Sequence, residues 1–193
     1  MLHIPTLRTE RLSLIPLDQS CEPAYQAFYT DAKASANYGG PLSAGAAWAR
    51  LAADLGTWYL QGFGVWAVQQ KVDQQIVGVC GFWQSKGWPR ELTWWLLPQA
   101  RGQGLAKEAS LAVISHAYEV LGWPAVETYM NDSNASARAL VLSLDGEFQQ
   151  RWSFPDGLER DIFRLPNPDR ADQTAGPKSA STLVPQRGLP FPA

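Results

Sequence analysis

The sequence predicts a mixed α+β domain with a mostly antiparallel central sheet flanked by helices. Three patterns carry that expectation. Val65 to Gln69 and Ile76 to Trp83 are β-prone runs separated by a turn at Asp73, which makes a hairpin. Glu91 to Leu97 runs through a glycine loop into a helical segment, and Val126 to Met130 follows as another strand. A helix between two strands makes a crossover, so this pair is parallel. Glu147 to Phe154 and Glu159 to Leu165 close the domain as a second hairpin, with Asp156-Gly157 as a two-residue turn.

Each element has a local cause. Leu12 and Leu14 alternate with Arg11 and Ser13 as a short edge strand that ends near Pro16. Ser20 to Thr30 forms a helix, with Pro23 tolerated in its first turn. Ser43 caps an alanine-rich helix whose Trp48, Leu51, Leu55 and Trp58 fall near one face. Gly62 and Gly64 precede the first hairpin, and Gly87 to Arg90 turn the chain into the Glu91 strand. Leu105, Ala109, Ala112, Val113, Ala117 and Val120 give the next helix, which reaches about Leu121, its apolar face. Asn134 opens a further helix through Leu144. From Pro166 onward there are six prolines and Phe191 as the sole aromatic, too little apolar surface for a core, so residues 1–166 read as the domain and 167–193 as a mobile tail.

Composition narrows the function. A chain of 193 residues suits one domain and one active site. A net charge of -2 without a Lys/Arg cluster argues against nucleic acid and membrane surfaces as partners. No apolar run approaches a membrane span and the N-terminus lacks signal-peptide regions, so a cytoplasmic location is expected. Cys21 and Cys80 are isolated, without metal-ligand spacing, and read as buried thiols; no metal is expected. His3 and His116 have no partners arranged for a nucleophilic triad. Seven of the nine tryptophans lie between Trp48 and Trp95, mainly as core; Trp94 and Trp95, adjacent on one strand, face opposite ways, so one of them can reach a pocket.

The segment Glu91 to Ala109 carries the chemistry. Pro98 ends the strand, and Gly102 and Gly104 let successive backbone amides face one point, at which the following helix aims its positive end. That combination suits a pyrophosphate. A Walker loop is absent, and a dinucleotide fingerprint fails because Lys107 stands where the third small residue belongs.

Gln99-x-x-Gly102-x-Gly104 in this strand-to-helix setting resembles the Q/R-x-x-G-x-G/A motif of the GNAT superfamily of acyl-CoA N-acyltransferases. Residues 6 to 165 resemble the branch that includes the ribosomal-protein-alanine N-acetyltransferases. Thr9-Glu10-Arg11-Leu12 is similar to its opening TERL, and Gly64 to Val68 with Ile76-Val77-Gly78 is similar to its central hairpin. Trp88 to Trp94 resembles its entry to the fourth strand, and Asn134-Ala135-Ser136-Ala137 its N-x-x-S helix start, although Ala137 stands where the family has serine and Asp145-Gly146 replaces Leu-Gly. The resemblance implies a sheet with a splayed parallel strand pair that holds acyl-CoA.

It also implies direct transfer of an acetyl group from acetyl-CoA, a co-substrate, to a primary amine of a small molecule or protein N-terminus, by a monomer or homodimer. An α-amine with pKa ~7.8 costs about 1 kcal/mol to deprotonate at pH 7, whereas a lysine near 10.4 costs about 4.6 kcal/mol. Glu91 matches the position of a general base or water-positioner in this branch. The departing thiolate, from a thiol of pKa ~8.5, costs about 2 kcal/mol to release unprotonated. The helix after the fifth strand lacks the tyrosine that many members use as acid, which leaves Ser136, water or solvent. A backbone amide of Trp95, Leu96 or Leu97 would hold the oxyanion. The amides of Arg101, Gly102, Gln103, Gly104, Leu105 and the adjoining Ala106, with Gln99, would hold the pyrophosphate, Arg101 adding charge. Asn134 would bind the pantetheine arm or cap its helix. A non-catalytic acyl-CoA-binding sensor is the alternative, consistent with the missing tyrosine and Ala137; the Glu91 carboxylate favours an enzyme.

Overall fold

A computed structural model describes residues 3–171. Five strands form one sheet in the order β1 (Leu7–Arg8), β2 (Leu12–Ile15), β3 (Val65–Gln70), β4 (Ile76–Trp83) and β5 (Glu91–Leu96), every neighbouring pair antiparallel. A second antiparallel sheet has the order β6 (Val126–Met130), β8 (Glu159–Leu165), β7 (Glu147–Ser153). The helices are α1 (Glu22–Tyr29), α2 (Ala44–Gln61), α3 (Leu105–Glu119), α4 (Ala135–Ser143) and the short α5 (Pro168–Ala171). The mixed, mostly antiparallel α+β architecture expected from the sequence is present.

Strand alternation sorts the core into two clusters. Val65, Ala67, Val79 and Trp95 pack with Tyr25 and Phe28 of α1 and Ala47 and Leu51 of α2. Trp66, Val68, Cys80, Leu92 and Leu96 pack on the other face with Leu105, Ala109, Val113 and Ala117 of α3. The five-stranded sheet is thus covered on both faces, which is why β3 and β4 read as nearly continuous apolar runs. Glu108 of α3 ties the sheet's far side down, accepting hydrogen bonds from Thr9 Oγ1 (2.5 Å), Arg11 N (2.7 Å) and Arg11 Nε (2.6 Å).

Several local expectations need correction. β2 is an interior strand, because Leu7 and Arg8 pair outside it. Ser43 caps α2, accepting from Ala46 N, but the buried stripe is Ala47, Leu51, Asp54 and Trp58; Trp48, one position round the helix, is 54 % exposed. Val120 is likewise exposed, at the C-cap of α3. The closing hairpin has a longer loop: Gly157 N donates to Phe154 O (2.8 Å) and Phe154 N to Leu158 O (2.9 Å). Pro155 suits the negative φ of a type I turn, and Gly157 at φ 78 supplies the left-handed residue that follows it. Past residue 166, Asn167 Nδ2 donates to Glu119 Oε1 (2.6 Å) and Ser115 Oγ to Asp169 Oδ2 (2.5 Å). The expected mobile tail otherwise lies outside the described residues.

Candidate active site

β5 and β6 stand side by side without a hydrogen-bonded ladder; the Thr128 hydroxyl donates to Leu92 O (2.9 Å) where they are close. Beyond that point they splay. The open edge of β5 leaves carbonyls that β6 would otherwise satisfy, and side chains take them instead: Tyr38 Oη donates to Trp94 O and Arg101 Nε to Leu96 O (2.9 Å). Leu97 N, by contrast, donates to Val77 O of β4 (2.8 Å). Alternation along the strand therefore turns the backbone groups of Trp95 and Leu97 toward β4 and those of Trp94 and Leu96 toward the splay. Of the three amides expected to hold an oxyanion, the Leu96 amide alone faces the opening.

A cavity of about 540 Å³ fills this opening. Its walls include Trp94, Trp95 and Leu96 of β5, Gly102 to Lys107 apart from Gln103, and Asn134, Ser136 and Ala137 at the start of α4. Gly102 (φ 74) and Gly104 (φ 77) are both left-handed, and no atom crowds the Cβ position of Gly102, so the requirement for glycine is conformational. Gly102, Gly104, Leu105, Ala106 and Lys107 line this cavity at the start of α3, where the first-turn amides of a helix have no intrahelical acceptor. Arg101 differs from expectation: its amide donates to Pro98 O (3.2 Å), and its guanidinium is occupied by Leu96 O and Ala34 O (3.3 Å). It braces the open strand edge and also lines the cavity, its charge not neutralised by the two carbonyls. Gln99, Gln103 and Leu97 do not line the cavity; Gln103 Nε2 donates to Gln99 O (2.9 Å) and Leu97 is buried beneath. Trp95 is stacked on Phe28 at 4.2 Å, whereas Trp94 is the tryptophan that lines both this cavity and its neighbour.

The neighbouring cavity, about 350 Å³, is lined by Glu91, Arg50, Trp83, Trp88, Tyr129 and Arg160, among others. It meets the larger one at Asn37, Tyr38, Trp94, Asn134 and Ala137. Glu91 opens β5 opposite Trp83, the last residue of β4. Burial pushes its carboxyl up to about 8, against the opposing pull of Tyr129, Arg50 and Arg160. Tyr129 Oη lies beside that carboxyl but makes no hydrogen bond of regular geometry. At neutral pH the group holds a proton in most molecules and can exchange it near pH 8, which suits an acid–base role.

Asn134 Oδ1 caps α4, accepting from Ala137 N (3.1 Å) and from Ser136 Oγ (3.1 Å), while its side chain lines both cavities. Ser136 lines the larger cavity and not the one that holds Glu91. Sequence reasoning missed Asn37, Tyr38, Arg50, Tyr129 and Arg160. Only Tyr38 had a local signal, an aromatic residue in the glycine- and proline-rich loop Asn37 to Pro41.

The comparisons agree with this architecture. The family model for the acetyltransferase (GNAT) domain matches residues 11–147. No curated protein matches. Among solved structures, an acetyltransferase from Agrobacterium tumefaciens str. C58 is 30 % identical, with a TM-score of 0.77 over 86 % of this chain and 96 % of that one. A GNAT-family acetyltransferase from Bacillus anthracis (12 % identity, TM-score 0.71, 83 % and 98 % covered) shares the fold. So does RimL, a ribosomal L7/L12 alpha-N-protein acetyltransferase in complex with coenzyme A (13 %, 0.69, 84 % and 99 %). A glycine loop at the mouth of a splayed strand pair, a family model covering most of the domain and a solved relative along nearly its whole length together show that the chain belongs to the GNAT acetyltransferase family.

Proposed function

We propose that this protein transfers an acetyl group from acetyl-CoA to a primary amine by direct attack in a ternary complex. The observation that carries the reading is the pair of cavities meeting at Tyr38, Trp94 and Asn134, one bounded by the glycine loop and the other holding Glu91. In this reading the amides from Gly102 into α3 hold the pyrophosphate, Asn134 contacts the pantetheine arm, and the thioester carbonyl lies by the Leu96 amide, which stabilises the oxyanion. The amine enters from the smaller cavity and gives up its proton to Glu91, directly or through water. Nitrogen bonds to the carbonyl carbon, the carbon–sulfur bond breaks, and the thiolate leaves toward Ser136. At about 2 kcal/mol, unprotonated departure of that thiolate does not depend on the serine.

The experiment is a thiol-release screen with acetyl-CoA against amines and N-terminal peptides, run beside Glu91→Gln. Acetyl-CoA binding with no thiol release from any amine would leave a binding module. Equal turnover of wild type and Glu91→Gln would make Glu91 structural.

A further inference from the structure

The cavity that holds Glu91 has more polar equipment than removing a proton from an amine requires. Arg50 Nε, Tyr129 Oη and Asn131 Oδ1 are buried and lack a regular hydrogen-bond partner among the described residues, and all three belong to the lining of this cavity. Buried polar atoms are nearly always paired, and groups this loosely paired, Arg50 Nε against Asp54 and Tyr129 Oη beside Glu91, suit a cavity that takes a polar ligand.

Arg50 is the informative member. Asp54, one turn along α2 and 4 % exposed, lies 3.1 Å from Arg50 Nε, and Tyr25 Oη donates to the other Asp54 oxygen at 2.9 Å. The guanidinium is thus anchored from behind, and its two terminal nitrogens have no partner among the described residues. Arg160, the other cation of the cavity, has spent both terminal nitrogens on Asp156 (2.9 and 2.6 Å) and lies over Trp88 and Phe154. One free guanidinium fork remains, in a space walled by Trp83, Trp88 and Trp94. Such a fork matches a carboxylate in geometry as well as charge.

We propose that the amine acceptor carries a carboxylate, gripped by the terminal nitrogens of Arg50 while its amine faces Glu91, so that the acceptor class is apolar amino acids and not protein N-termini. This deepens, and rests on, the transferase reading above. A protein N-terminus carries an uncharged peptide carbonyl where an amino acid carries its carboxylate, and would leave the fork unpaired. The tryptophan walls select a carbon body that is apolar.

The test is thiol release with a panel of apolar α- and β-amino acids, their methyl esters, the matching decarboxylated amines, and short peptides. The best acid is expected to exceed its ester at least tenfold in kcat/KM, and that ratio to fall toward one in Arg50→Lys, chiefly through KM. Because Arg50 removal strands the buried Asp54, the paired variant Arg50→Gln/Asp54→Asn, which keeps an acceptor for Tyr25, is measured alongside. Esters or peptides that match the acids, or a ratio unchanged in both variants, would overturn the inference and leave the transferase reading standing. If no amine is acetylated, calorimetry of the amino acids against the protein–CoA complex decides. Binding that weakens at least tenfold in Arg50→Lys supports the carboxylate site and removes the transferase reading instead, whereas absent binding removes the inference.

Discussion

Glu91→Gln separates a catalytic carboxyl from a structural one because the two make opposite demands on stability. The folded protein holds this carboxyl at about 8, against an ordinary value of 4.5, mainly by burial. A carboxyl with a raised folded pKa stabilises nothing by ionising: the fold favours its protonated form, so stability falls as pH rises through 4.5 and the loss is complete above 8. From that shift the cost of Glu91 is about 1 kcal/mol at pH 5, about 3 kcal/mol at pH 7 and about 4 kcal/mol at pH 8. Glutamine keeps the shape and cannot ionise, so Glu91→Gln should be more stable than wild type by a margin that grows with pH across this range. Urea unfolding of both proteins at pH 5, 7 and 8 reads the margin directly. Turnover should move the other way. At pH 7 about one wild-type molecule in ten has Glu91 ionised, so wild-type kcat should climb severalfold toward pH 8 with an amine that is neutral throughout. The variant should be slower by about 10²-fold and lack that rise. A stability difference that is flat from pH 5 to 8, or a wild-type profile with no ionisation near 8, would refute the reasoning.

Three further outcomes follow from contacts elsewhere. Gly102→Ala should cost about 1–2 kcal/mol in urea unfolding, because alanine resists φ 74 even though open space surrounds its Cβ, and should weaken acetyl-CoA in calorimetry by turning the loop amides; unchanged affinity would detach the loop from the donor. Glu108→Gln should destabilise by about 2 kcal/mol at pH 7. Burial alone would raise the Glu108 carboxyl, but the hydrogen bonds from Thr9 and Arg11 outweigh it and hold the pKa below normal, so this contribution exists above 4.5 and disappears as pH falls through the folded value. A mutant deficit that stays the same at every pH below 4.5 down to acid unfolding would contradict it. Gly78→Ala should lower stability by about 3 kcal/mol and shift the thermal midpoint accordingly, since its Cβ would stand 2.1 Å from Trp95 O across the β4–β5 pair. A neutral result would mean the strands can part there.

The sequence by itself determined the features whose cause is local. β-prone apolar runs on either side of the Asp73 turn set β3 and β4, the Ser43 cap began α2, and the glycines at 102 and 104 specified a left-handed loop ahead of α3 wherever that loop came to lie. Glu91 was legible because its place at the start of β5 follows from the same strand. Tertiary structure decided what depends on which residues meet across long separations. Arg101 reads in the sequence only as a charge beside the loop, and folding adds a second role by bringing Leu96 O and Ala34 O within reach of its guanidinium. Trp48 and Leu51 share a helical face on a wheel, yet only Leu51 meets α1 and the sheet, and Trp48 is left in solvent. The Glu91 cavity draws Tyr38 from a loop, Arg50 from α2, Trp83 from β4, Tyr129 from β6 and Arg160 from β8, residues that no periodicity or spacing connects. Their shared chemistry, including the raised pKa of Glu91 and the unpaired fork of Arg50, is a property of burial and mutual distance, and those exist only once the two sheets close around α3.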